Sequence, residues 1–174
     1  MVRAAAPRLA AFWLPALLWV SILAGAPGAV LAQKQDKQPS TFSSVIGSAL
    51  LCRSQLGNAY FHDYFKTFFG PAYKHEGGAY WFRTGEATLW GVPVSEVLVG
   101  DDSSERMFVA AVAEVPPDQL EQAIATATGV RHLAADGSNY PLRVSNPGST
   151  IAYYNTKSKI YCAKFKPLAP GRNP

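Results

Sequence analysis

Between Ser43 and Cys52 the apolar residues Val45, Ile46, Ala49 and Leu50 recur at helical spacing, which predicts a short helix. A second stripe, Tyr60, Phe61, Tyr64, Phe65, Phe68 and Phe69, lies opposite His62, Asp63 and Lys66. It ends at Gly70-Pro71, as a helix with one broad aromatic face should. On a single unbroken helix Cys52 would fall on the polar side of that stripe, whereas a break near Gly57-Asn58 turns it toward the core. The pattern then changes to short runs of β type. Ala79 to Arg83 and Glu86 to Trp90 flank the turn Thr84-Gly85, and Ser95 to Val99 precedes the loop "GDDSSE". Met107 to Ala113, "MFVAAVA", is apolar on both alternating sets, the signature of a central strand buried on both faces. Pro117 and Asp118 open a further helix, with Leu120, Ala123, Ile124 and Ala127 on one face and Gly129 as its stop. Strands at Tyr140 to Ser145, Thr150 to Tyr154 and Lys159 to Phe165 follow, separated by the turns "NPGS" and "NTKS".

This order predicts an α+β domain: an antiparallel sheet with N-terminal helices and one middle helix. A helix ending in Gly and followed by strands occurs twice, at Gly70 and Gly129, which suggests an αβββ duplication.

The first 32 residues have a different character. Arg3 and Arg8 precede an apolar stretch from Ala10 to Leu23, and small residues up to Ala32 complete the layout of a cleavable export signal. The expected organisation is a signal peptide at 1–32, a flexible leader at 33–41, one domain at 42–165 and a disordered tail at 166–174. Cleavage at Ala32 would leave no membrane span and would lower the count of Lys and Arg from 16 to 14 against 12 Asp and Glu. A nearly neutral mature chain, with much of its remaining basicity in the tails, gives no footing for nucleic acid. Two cysteines at opposite ends of the domain, Cys52 and Cys162, predict a disulfide in a periplasmic or secreted protein.

Candidate chemistry centres on "GGAYWFRTGEATLWG", Gly77 to Gly91, which holds both tryptophans of the mature chain. With Thr84-Gly85 as a two-residue hairpin loop, Tyr80, Phe82, Ala87 and Leu89 share an apolar face, and Trp81, Arg83, Glu86, Thr88 and Trp90 share the other. Trp and Arg carry much of the energy at protein interfaces, so Trp81, Arg83, Glu86 and Trp90 are the candidate binding residues. The same face could equally be covered by the chain's own helix or tail.

Catalytic and metal-binding patterns are missing. His62, His75 and His132 lack a nucleophile motif, and neither His-x-x-x-His nor Cys-x-x-Cys spacing occurs, so no catalytic residue, metal or cofactor is expected. Asp101, Asp102 and Glu105 lack the spacing and central Gly of a calcium loop, and "GGAYW" lacks the Lys-Ser/Thr of a phosphate loop.

The segment "DYFKTFFGPAYKHEGGAYWFRT" resembles the helix, Gly/Pro stop and strand that open small periplasmic modules of the β-lactamase-inhibitor-protein and outer-membrane-assembly-lipoprotein type. Trp81, Gly85, Ala87 and Leu89 in "WFRTGEATL" resemble a motif of the bacterial membrane-bound lysozyme inhibitors. That family places the motif near its C-terminus and opens with Tyr-x-Cys, whereas here it lies mid-chain after helices. As a whole the chain resembles uncharacterised exported proteins of proteobacteria, a likeness that implies export and no particular activity. The expectation is a non-enzymatic module that binds another envelope protein or a cell-wall component. The alternatives are an inhibitor or small-ligand carrier, and a periplasmic hydrolase, which would need a His within reach of both a carboxylate and a hydroxyl.

Overall fold

A computed structural model describes residues 38–101, 103 and 106–166. The segments expected to be the signal peptide, the first part of the leader (33–37) and nearly all of the tail lie outside them, as do Asp102 and Glu105. The elements run α1 Phe42–Leu50, α2 Asn58–Phe69, β1 Lys74–Glu76, β2 Ala79–Arg83, β3 Thr88–Leu89, β4 Val92–Gly100 and β5 Arg106–Ala113. After them come α3 Pro117–Thr128, β6 Leu133–Ala134, β7 Arg143–Val144, β8 Thr150–Tyr154 and β9 Lys157–Phe165. The strands form one antiparallel sheet in the order β1-β2-β4-β5-β9-β8-β7-β6, with β3 paired to β4 outside that path. The class is α+β. The duplication is not confirmed, because five strands follow α2 and four follow α3.

All three helices lie on one face of the sheet. Phe42, Ile46 and Leu50 of α1, Phe61 and Phe65 of α2, and Leu120 and Ile124 of α3 join Phe82, Val97, Val109, Ile151 and Ile160 in a single core. The strand expected at the centre is there: β5 pairs with β4 and β9, sending Val109, Ala111 and Ala113 to the helices and Ala110 and Val112 to the other face. Its alanines match the helices' bulk, since large and small side chains must interdigitate to fill the layer. Gly129, with φ +74, ends α3 in the left-handed conformation, and its N–H donates to the Ala125 carbonyl.

Cys52 follows α1 with φ +59, and the Arg53 N–H reaches back to the Ser48 carbonyl at 2.8 Å. A non-glycine residue in that conformation is strained, and here it aims the Cys52 side chain inward. Cys52 is paired with Cys162 of β9 across a sequence separation of 110.

One expectation is corrected. Strand 79–83 does not form a hairpin with 86–90. Instead β2 pairs with β1 around Gly77 and Gly78 and, on its other edge, with Glu96–Gly100 of β4. β3 pairs with the opposite end of β4, Val92 and Pro93, through a turn in which Trp90 (φ +53) and Gly91 (φ +78) are both left-handed. That is the torsion pattern of a type I′ hairpin. The Thr84 hydroxyl donates to the Val94 carbonyl and the Thr84 N–H to that of Ser95, fixing the crossover between the two halves of β4. Gln38, the first described residue, is anchored to β3. The Gln38 side-chain amide accepts from the Thr88 N–H (2.6 Å) and donates to the Thr88 carbonyl (3.1 Å), as a neighbouring strand would.

Candidate functional site

The face turned away from the helices carries a second apolar cluster with no helical residue in it: Ala79, Trp81, Leu98, Ala110 and Val112, with Phe108, Tyr154 and Tyr161 partly buried against it. The registers place Lys74, Trp81, Leu98, Ala110, Tyr161, Thr150, Val144 and Leu133 opposite one another in turn, a continuous row from β1 to β6. Its far end is open: Leu133 is 68 % exposed and Val144 38 %. Beside it runs a second row, Arg83, Glu96, Val112, Lys159 and Ala152.

Trp81 lies low in this face, 8 % exposed. Its indole N–H donates to the Glu76 carbonyl, and the ammonium groups of Lys74 and Lys159 stand 4.0 and 4.8 Å from its ring centroid. Lys159 also lies 4.4 Å from the Tyr154 ring, so two aromatic faces hold it by cation–π attraction. Burial pushes the Lys159 ammonium below its ordinary pKa, against a pull from Glu96 that outweighs the repulsion of Lys74. At the β2 end, Arg83 stacks on the Tyr73 ring, and the Tyr73 hydroxyl donates to Glu96. Desolvation, followed by that carboxylate, pushes the Tyr73 phenol up to about 12.

The four sequence candidates therefore do not share one surface. Trp81 and Arg83 lie on the helix-free face. Glu86 is exposed in the segment between β2 and β3, and the residue opposite Arg83 across the strands is Glu96. Trp90 packs into the helix-side core, its ring 3.5 Å from where a Cβ on Gly47 would stand. Lys74, Lys159, Tyr154 and Tyr161 were missed. A signal for two of them existed: Cys162 must face the helix-borne Cys52, and strand alternation then sends Tyr161 and Ala163, and beyond them Lys159, to the opposite side.

His62 and His75 pack on the same ring, Tyr80, with centroids 4.8 and 4.2 Å away, whereas His132 is buried beside Ser149. His75 Nε2 is 2.6 Å from Asp101 Oδ2, and the Ser103 hydroxyl reaches the same carboxylate rather than the imidazole. Hydrogen bonds from Ser103, and then from His75, hold Asp101 down at about 2. His62 lies 3.5 Å from its neighbour Asp63 and edge-on to the Tyr80 and Phe82 rings, with no hydroxyl bonded to it among the described residues. Among the described residues no group of three or more His, Cys, Asp or Glu could hold a metal ion.

His132 is fully buried, with Nε2 3.0 Å from the Ser149 hydroxyl and Nδ1 without a partner among the described residues. Desolvation drives its pKa below 6.5, against an opposing pull from Glu121. The unfolded chain takes up a proton near pH 6.5 that the folded one refuses, so stability falls as pH drops from there toward the folded pKa, by at most about 1.4 kcal/mol per pH unit. Urea unfolding at pH 7 and pH 5 should show this loss, and His132→Leu should remove that part of the pH dependence. An unchanged slope in His132→Leu would place the acid sensitivity elsewhere.

Among the described residues no helix is long and apolar enough to cross a membrane. Comparison with models of protein families, with curated proteins and with solved structures finds no match to this chain.

Proposed function

We propose that the chain is an exported, non-enzymatic binding module of the bacterial envelope that docks another envelope protein on its helix-free sheet face. The observation that carries this reading is the cross-strand row from Lys74 to Leu133. It is a largely apolar row crossing eight strands on the side that no described helix covers, begun by Lys74 and interrupted by the buried Thr150, with exposed aliphatic residues at one end and aromatic residues with lysines at the other. Sheets that pack on one face commonly leave the other polar. Here the second face keeps Leu, Val, Phe and Tyr, the composition of a surface that expects a cover. The export signal read from residues 1–32 and the paired cysteines support an oxidising compartment.

A hydrolase finds less support, because the Asp101 carboxylate, and not an imidazole, is the hub of the His75 and Ser103 contacts, and the hydroxyl near His132 is buried with it. The test is crosslinking and co-purification of the tagged chain, expressed at full length and processed by its own cells, under non-reducing conditions. One stoichiometric partner should be recovered with the native protein and lost with Leu133→Gln/Val144→Gln, while the melting temperature stays within a degree or so, as expected for exposed sites. A partner that survives both substitutions would move the interface off this face. An unaccompanied monomer would remove the binding-module reading.

A further inference from the structure

The charges on the helix-free face are not evenly matched. Glu76 is 3.1 Å from Lys74, Glu114 is 2.6 Å from Lys157, and Glu96 accepts from Tyr73. Lys159 is different: its ammonium rests between the Trp81 and Tyr154 rings, with a second ammonium, Lys74, on the same indole. Glu96 attracts Lys159 from a distance, but among the described residues no carboxylate makes a salt bridge with it, so a half-buried cation is left that a carboxylate from outside could pair.

Resting on the docking reading above, we infer that the partner presents a carboxylate flanked by apolar side chains, with Lys159 as its counter-charge and the partly buried Tyr161 and Phe108, at the edge of the Leu98–Ala110–Tyr161 row, as its apolar floor. Lys159 stands immediately beside that row, since Val112 faces it across β5 and β9 while Ala110 faces Tyr161. One Asp or Glu in a loop can therefore reach the ammonium while its neighbours lie on the row. A second copy of this chain fits poorly. β9 lies near the middle of the sheet, so two such faces stacked about a two-fold axis would bring Lys159 close to its own copy. A polyanion fits poorly too, because Glu76, Glu96 and Glu114 are set among the cations and would repel all but a single well-placed negative group.

The probe is a phage library of random peptides, selected against the processed full-length protein. Enriched peptides should carry Asp or Glu next to aromatic or aliphatic residues. Their binding should weaken about tenfold or more in Lys159→Gln, and equally when the peptide acid is changed to its amide. Lys159→Gln relieves a desolvated charge and gives up its contacts with the Trp81 and Tyr154 rings, two effects of opposite sign, so its melting temperature should change little, which separates lost recognition from lost folding. Peptides that bind Lys159→Gln as tightly as the native protein, or a selection without acidic residues, would overturn the carboxylate while leaving the face intact. Peptides indifferent both to Lys159→Gln and to Leu133→Gln/Val144→Gln would overturn the docking face itself. A library that yields no enriched peptide would also count against the inference.

Discussion

Replacing both Cys52 and Cys162 with alanine is expected to remove about 4 to 5 kcal/mol of stability, the largest single loss available in this chain. The reason lies chiefly in the unfolded state. The bond closes a loop with a sequence separation of 110, and in the chain-entropy description a loop of that length contributes roughly this amount. In the folded state the bond joins the segment after α1 to the inner strand β9, where Cys52 and Cys162 are both buried. Lys164, two residues further along β9, donates to the Ser54 carbonyl at 2.6 Å and fixes the same junction. For a domain of this size the melting temperature should fall by roughly 15 °C. Guanidinium unfolding of the native protein with and without reductant, beside the double variant, provides the check. A loss below about 1 kcal/mol would mean that the reduced chain keeps this junction closed without the bond.

Trp81→Ala should be the second largest loss, about 3 kcal/mol, within the range for deleting a buried aromatic side chain. The indole fills the space above Leu98 and Ala110, donates to the Glu76 carbonyl and neighbours both Lys74 and Lys159, so its removal opens a cavity and leaves two stacked cations without their ring. Trp90→Ala should lose less, because that ring is only partly buried against the helix-side core. Urea midpoints for the two single variants, with Trp81→Phe as the milder change, measure the difference. If Trp81→Ala melts with the native protein, the ring is not packed as described. The sequence pattern alone leaves open whether the two tryptophans are an exposed pair, whose loss would spare stability, or are covered by the chain itself. The packing shows both largely covered, so lost binding in a Trp81 variant would not by itself mark an interface. Leu133, Val144 and Lys159 are better probes, because their substitution disturbs recognition more than folding.

Some of this protein is written locally and some is not. The aromatic stripe ending at Gly70, the Pro117 start and Gly129 stop of α3, and the two-sided apolar run of β5 all appear in the structure where the pattern places them, because helix periodicity, caps and burial on both faces are properties of neighbouring residues. The cysteine pairing was also legible from count and context. Strand partnership was not. Gly85 and Gly91 both take positive φ, and which of them closes a hairpin depends on β4, a nine-residue strand long enough to hold β2 along one half and β3 at the other end. Trp90 enters the left-handed region, where propensity would not place it, because Leu89 and Val92 gain burial by pairing across that turn. The face proposed for docking is likewise a product of register. Lys74, Trp81, Tyr161, Val144 and Leu133 are scattered along the sequence and become a row only when seven strand pairings are fixed at once, a long-range choice made by the whole core and not by any local pattern.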